Sequence, residues 1–553
     1  MAVIGYLGGE SSTRSFFGGQ NGTRNALLIL GALATMVGTL FFQKTGLAIG
    51  LAVLAIIYLS TISTARGSMW ERHQKRSRMK DRDKFDGGLF HPFDQAQWDA
   101  LTEEISALRW WNRKERTQLV RERNALRSRP DGADGMGWLD ETPGEPGIQW
   151  HAPEGEVPYF AVTWEVDGQL RGIESSQRAD SAANGWGKLL ADHGESLTLA
   201  RGFQPLTRVL PADTARYEQW AADNVDIDEP ENDRLAEARE QLLDSYDDLL
   251  RKLRTGSMVQ RHFITVQWPM SSNFTAAAAL RGPGRDGWRE LMKSEIASMS
   301  RQLRNAKQGT ARVLTARQIA AWILHAQNPS RPIDSLRDAD TRRFGIASSQ
   351  NLSEHIVTGR SLNGDMEVEW HHRTAAIRAG NLASNGRTQW WLLPLLVGLE
   401  KDIIRTIAFP QLLVPNGEAL STARKDVVRD SADIKSQNDD GELADETAEA
   451  GLGAARRRRK DLRPGSGEHG DEWVGYITLS ARSRTQLAEY CRIVEERAAS
   501  SAGMNKLEWL DSYQSAASGC TWPIFRGIQQ PRISAGSRAV DALAGKGEKE
   551  ALS

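Results

Sequence analysis

A handful of residue patterns could carry chemistry, and each falls short of the arrangement its chemistry needs. A phosphate-cradling loop requires G-x-x-x-x-G-K-[ST], because backbone amides, lysine and hydroxyl each hold part of a nucleotide. GWGKLL (Gly185–Leu190) lacks the first glycine and the hydroxyl, and GKGEKE (Gly545–Glu550) lacks both. GRSLNG (Gly359–Gly364) misses the nucleophile elbow G-x-S-x-G by one residue. Cys491 and Cys520 are the two cysteines; neither C-x-x-C nor H-E-x-x-H occurs, so zinc is poorly supported. The pair His371–His372 would not share a face on a helix, which makes it a weak metal cue. Carboxylates are abundant, but the sequence singles out no pair for acid–base work. The run RRRRK (Arg456–Lys460) could touch phosphate, although a solvated charged face is the plainer reading. The sequence therefore nominates no catalytic residue, no cofactor and no metal ligand. It points to a scaffold rather than an enzyme.

The more telling residues are apolar. In a chain of mean hydropathy −0.48, two stretches of 17 residues, Ala26–Phe42 and Gly46–Ile62, carry no charge and are separated by Gln43, Lys44 and Thr45. A hydrocarbon core about 30 Å thick takes roughly 17–25 helical residues. One span centred on the middle would bury Lys44 at a cost of about 2.5–3.5 kcal/mol, and two spans remove that cost. The expectation is a two-helix transmembrane hairpin. A cleaved signal peptide, a buried hairpin in a soluble core and a single re-entrant or tilted segment are the alternatives. Arg14 and Arg24 precede the first stretch, and Arg66, Arg72, Lys75, Arg76, Arg78, Lys80 and Arg82 follow the second. Basic excess marks the cytoplasmic side. Both termini are thus expected in the cytoplasm, with the protein in the cytoplasmic (inner) membrane. The basic exit would also face anionic lipid, at roughly 1 kcal/mol per residue.

The remaining chain looks like several packed units. With 553 residues it exceeds one small domain, and 70 Lys+Arg against 71 Asp+Glu give no net field that argues for nucleic acid. Two cysteines fit a reducing compartment. The 18 tryptophans read as core and interface anchors. Composition divides the chain into an N-terminal tail (1–25), the hairpin (26–62), a basic connector (63–150), a first α/β unit (151–225), a second (233–420), a charged flexible or loosely helical insertion (421–470), a closing strand–helix–strand unit (471–530) and a mobile tail (531–553). YFAVTWEV, RHFITVQW and EWVGYITLSA predict strands. Trp288–Ala306 predicts a helix with one apolar face, and T-A-R-Q (315–318) and S-R-T-Q (483–486) predict capping boxes. RSRPDGADGMGWLDETPGEPG is expected to be loop. The fold class expected for these cytoplasmic parts is α+β with mixed sheets.

These stretches also carry a resemblance. RSFFGG, the tight double-span hairpin and the basic exit together resemble the PrgI-like small membrane subunit of type IV secretion (conjugation) systems. YFAVTWEVDG with RADSAANGWGKLLADHGESLTLARGFQPLTRVLP, then RHFITVQW with RELMKSEIASMSRQLRNAKQGTARVLTARQIAAWILHAQNP, then HGDEWVGYITLSARSRTQLAEYCRIVEERAA with PIFRG, are similar to the non-motor N-terminal region of the TrbE/CagE-type ATPase of those systems. The combination looks like a fusion found in high-GC Gram-positive bacteria, and covers most of residues 10–530. It lies in order and spacing, not in a catalytic signature. The charged 421–470 segment and the long 87–150 connector depart from the pattern. The resemblance implies a non-catalytic structural subunit of an export channel. Its partners would be membrane lipid, a separate P-loop ATPase and other channel subunits, in an oligomer, with direct DNA contact left open. A membrane-anchored scaffold of another export machine, such as type VII secretion, is the alternative. A membrane-bound enzyme with a site assembled from distant residues is a third.

Overall fold

The computed structural model describes residues 22–61 and 68–528, apart from 85–86, 110, 154–155, 169–174, 213–216, 218–232, 257, 337, 361–365, 384–385, 400–401, 440–445 and 464–465. The expected N-terminal and C-terminal tails, RSFFGG, Ile62, Arg66 and the side chain of Ala26 lie outside the described residues.

The apolar run forms one helical segment, Gly22–Thr61, of which Leu28–Thr61 is long and apolar enough to cross a membrane. Helical geometry fails inside it at Gln43 (φ 45°, ψ −122°), between the two uncharged stretches. Small residues line close approaches on either side of that break. A methyl group on Gly46 would lie 2.2 Å from the Gly38 carbonyl oxygen, one on Gly50 2.2 Å from Thr35 Cγ2, and one on Gly31 2.9 Å from Leu54 Cδ2. Much of the remaining apolar surface is bare: Leu40, Phe41, Phe42, Ile49 and Ile56 are all exposed.

One sheet of 16 strands organises the rest. In chain order these are β1 (Leu89–Pro92), β2 (Leu126–Arg127), β3 (Met136–Asp140), β4 (Ile148–His151), β5 (Tyr159–Val166), β6 (Gly202–Pro211), β7 (Met258–Pro269), β8 (Ala311–Val313), β9 (Ser348–Gln350), β10 (His355–Arg360), β11 (Glu367–Ile377), β12 (Ile404–Ala408), β13 (Gln411–Val414), β14 (Gly470–Trp473), β15 (Gly475–Ala481) and β16 (Glu508–Trp509). The path runs β2-β1-β9-β10-β11-β15-β12-β6-β7-β5-β4-β3. Among the described residues only β1 and β2 pair in parallel.

The chain writes one topology twice into this sheet. The first copy is β5, helix Ser176–His193, β6, β7, helix Gly284–Asn305 and β8, in spatial order β8-β5-β7-β6. The second is β11, the short helix Leu393–Leu396, β12, β15, helix Arg484–Ser501 and β16, in order β16-β11-β15-β12. Both follow the split βαβ (ferredoxin-like) plan. β6 and β12 pair antiparallel, from Arg405↔Val209 to Ala408↔Leu206, and join the copies edge to edge. Each copy inserts helix between its second and third strands: Asp233–Gly256 in the first, Asn416–Asp439 and Glu446–Asp461 in the second.

Alternation along the strands decides what each face meets. Phe160, Val162 and Trp164 of β5 and Ile264, Val266 and Trp268 of β7 pack against Trp288, Leu291, Met292, Ile296, Met299 and Leu303 of helix Gly284–Asn305. Each such side chain contributes roughly 1.5–3 kcal/mol on burial. The two buried indoles keep their N–H groups satisfied on the same helix, Trp164 donating to Ser300 Oγ (2.9 Å) and Trp268 to Glu295 Oε2 (3.1 Å). In the second copy Ile477 and Leu479 of β15 meet Leu487, Cys491, Val494 and Ala498 of helix Arg484–Ser501 in the same way.

The structure differs from the sequence expectation in several places. The unit from 471 onward does not close the molecule; its β15 lies mid-sheet, between β11 and β12. The expected loop around GMGWLD contains β3, because Met136 and Leu139 are buried as β3 pairs with β4. The 421–470 segment carries most of two helices that pack on each other. Small residues let them approach closely, Ala419, Leu420, Ala423 and Leu462 forming one cluster and Val427, Leu452 and Ala455 another. The capping box at Thr315 and Gln318 forms. At Ser483 only half of it does, since Gln486 Oε1 accepts from the Arg482 N–H instead.

Candidate functional site: anchor, docking helix and buried polar face

The apolar segment is coupled to the sheet by the helix Met69–Asp83. Ser68 and Glu71 start it with a capping box, Glu71 N–H donating to Ser68 Oγ (3.1 Å) and Ser68 N–H to Glu71 Oε2 (3.0 Å). The S-x-x-E spacing of Ser68 and Glu71 is itself the sequence signature of such a helix start. Lys75, Met79 and Arg82, spaced four and three residues apart, share one face. Met79 is buried. Lys75 Nζ donates to the Trp509 carbonyl (3.2 Å) and lies 3.5 Å from Asp511. Arg82 donates to the Ser512 carbonyl (3.1 Å), lies 3.7 Å from Asp131 and stacks over the Tyr513 ring at 5.1 Å. These two basic residues of the exit therefore turn onto protein, because helical spacing sets them over the sheet domain. Arg72, Arg76, Arg78 and Lys80 are exposed.

RRRRK sits on the helix Glu446–Asp461, which with Asn416–Asp439 walls an open groove of about 470 Å³ lined by Leu420, Arg424, Arg456, Arg459, Lys460 and Arg463. Arg458 instead turns toward Asp426 at 3.3 Å. The cations end the helix, where its dipole favours positive charge. The groove has the electrostatics to hold a phosphate-bearing surface.

The face of the sheet opposite Trp164 and Trp268 is buried and polar. Thr163, Thr265, Thr374, Thr406 and Thr478 lie on it together with Gln149, Gln204, Arg208, Gln267 and His372, all buried. Residues 514–525, mostly without regular structure after the short helix Gln514–Ser518, cross this face, and the side chains satisfy their backbone. Gln149 and Thr163 donate to the Pro523 carbonyl (2.9 and 3.0 Å), and Gln204 donates to the Cys520 carbonyl (3.1 Å) while accepting from the Phe525 N–H (2.8 Å). Tyr159 donates to the Ile524 and Phe525 carbonyls (3.1 and 2.9 Å). A buried strap outside the ladders needs such partners.

The other candidates do not converge. His371 and His372 lie on β11, not on a helix. His371 lies 3.0 Å from Glu354 and 2.8 Å from Glu369. His372 contacts Ser480 Oγ and the Gln327 carbonyl, each at 2.9 Å. Burial pushes the thiols of Cys491 and Cys520 up to about 12, far from thiolate at neutral pH. Among the described residues no three His, Cys, Asp or Glu groups are placed to hold a metal ion. No protein-family model matches the chain, and no curated protein sequence matches it.

Proposed function

We propose that the chain is a non-catalytic, membrane-anchored structural subunit of a type IV secretion (conjugation)-like export channel, docking a separate P-loop ATPase at the cytoplasmic face. The observation that carries the reading is the coupling of an apolar segment, broken at Gln43, to a large sheet domain through Lys75, Met79 and Arg82. In this reading Ala26–Phe42 and Gly46–Ile62 are two antiparallel spans and both termini are cytoplasmic. The approach of Gly31 to Leu54, Gly50 to Thr35 and Gly46 to Gly38 supports it. In a straight helix Gly31 and Leu54 would lie about 35 Å apart. Small residues at such contacts are what membrane helices use to pack. The choice of machine rests on the resemblance in order and spacing along residues 10–530. Oligomerisation with other channel subunits belongs to the same reading, and ATP hydrolysis belongs to the partner.

Topology reporters test the anchor. Fused at Met1 and at Ser553, a cytoplasm-active reporter is expected to work at both ends. A reporter active on the outer side at either end would overturn the two-span reading.

A further inference from the structure

The paired helices Asn416–Asp439 and Glu446–Asp461 carry a concentration of charge that their own packing does not use. Arg456, Arg459 and Lys460 stand three and four residues apart, on one face of the second helix. Arg463 lies just past its end, where its Nε–H donates to the Lys460 carbonyl (2.8 Å). Arg424 stands on the first helix and lines the same groove. All five side chains are exposed. Neither Asp nor Glu occurs three or four residues to either side of Arg424, Arg456, Arg459 or Lys460. Among the described residues none of the five is ion-paired, and Asp426 of the first helix is taken by Arg458, which lies outside the lining.

Other exposed helices of the molecule do the opposite. Arg289 pairs with Asp286 (3.1 Å), Lys293 with Glu290 (2.8 Å) and Arg492 with Glu496 (3.0 Å). Like charges at helical spacing repel and cost stability. The dipole at the helix end offsets part of this for Arg459 and Lys460. It does nothing for Arg424, which lies on the other helix and nearer its N-terminus.

The lining says what would relieve the repulsion. The groove, about 470 Å³, has the size of a small-molecule site but not the apolar wall of one. Leu420 is its one apolar side chain, and no aromatic ring lines it. A nucleobase would therefore find nothing to stack on. A single monovalent anion would leave most of the charge unmatched. Guanidinium forks match phosphate oxygens with paired hydrogen bonds. Seven residues of helical rise, about 10 Å, separate Arg456 from Arg463, a span that linked phosphates can follow.

We propose that this groove is a binding site for closely spaced phosphate groups, read by their charge alone, with Arg424 on one wall and Arg456, Arg459, Lys460 and Arg463 on the other. The phosphates come either from a soluble polyphosphate or from a diphosphate lipid headgroup. The site is independent of the membrane and secretion reading.

Calorimetric titration of the full-length protein in neutral detergent with tripolyphosphate tests it. Saturable binding is expected, and ATP is expected to bind no more tightly than tripolyphosphate, because the groove offers nothing to the base. Arg456→Gln with Arg459→Gln is expected to weaken binding by about tenfold or more, with Tm unchanged or raised, since the substitutions relieve repulsion. Arg429→Gln removes an exposed cation of the first helix outside the lining and is expected to leave binding unchanged. Hydrogen exchange distinguishes the two sources. Protection of 416–463 in cardiolipin nanodiscs relative to neutral-lipid nanodiscs would place the phosphates on a headgroup; protection by tripolyphosphate alone would place them in solution. No binding of tripolyphosphate, equal binding by the double variant, a strong preference for ATP, or binding of DNA without tripolyphosphate would each overturn the site.

Discussion

Thr163 on β5 stands opposite Thr265 on β7, and their hydroxyls bond at 3.0 Å. Thr374 on β11 stands opposite Thr478 on β15, and theirs bond at 2.8 Å. The two copies thus place a threonine pair at the same point, between first and third strand, beneath the strap 514–525. Gln204 satisfies both a carbonyl and an N–H of the strap. Gln204→Ala leaves both groups buried and unpaired, at about 1–3 kcal/mol each. Chemical denaturation should show a loss of about 2–6 kcal/mol; a change within the error of the measurement would mean that the strap finds other partners. The buried histidines give a second expectation. Burial pushes His355 down to about 4 from an ordinary 6.5, and pushes His151, His325 and His372 down as well. Between about 4 and 6.5 the unfolded chain binds protons that the native one refuses, so stability rises with pH there and falls on acidification. For His355 the full window is worth on the order of 3 kcal/mol. Unfolding midpoints measured from pH 7 to pH 4.5 should fall, and His355→Gln should flatten part of the slope.

At the scale of elements, the strands were the most legible part. YFAVTWEV forms β5 over the same residues, and RHFITVQW lies inside β7, because short runs rich in β-branched and aromatic side chains favour a strand buried on both faces. Two other elements are less legible in the sequence. The helices in 421–470 bury alanine and a few leucines, and composition cannot distinguish that from a solvated segment. The strap has no periodicity of its own, and its place is set by partners more than 300 residues away in sequence. Geometry makes the helical insertion separable, because Val414 and Gly470 are paired at its base. Replacing 415–469 by a two-residue Asn-Gly turn should leave one cooperative unfolding transition; a broadened or absent transition would show that the helices support the sheet. The docking helix behaves differently. Substituting Lys75 and Arg82 by alanine removes its polar hold on 509–512 and on Asp131. Hydrogen exchange in 69–83 should then accelerate while the strands stay protected. Unchanged exchange would mean that Met79 alone holds the helix.

On the scale of the whole molecule, the chief feature missed was duplication. Its signal is present in the threonine at the middle of five strands, β5, β7, β11, β12 and β15: FAVTWEV, FITVQW, HHRTAAI, IIRTIAF and GYITLSA. Division by composition cut across both copies, because charged helical insertions interrupt each one between its second and third strands. The joined copies share one continuous sheet, and the docking helix packs against it beside the apolar segment. A sheet of this kind suits a scaffold that presents a surface to a partner from a fixed place at the membrane. We propose that this partner is a separate ATPase. The measurement that tests it most directly is purification of the full-length protein from native membranes in mild detergent, with identification of what accompanies it. The account predicts a P-loop ATPase of conjugation type in roughly equal amount. The chain alone, or in stable complex with unrelated proteins or an ATPase of another export machine, would contradict it.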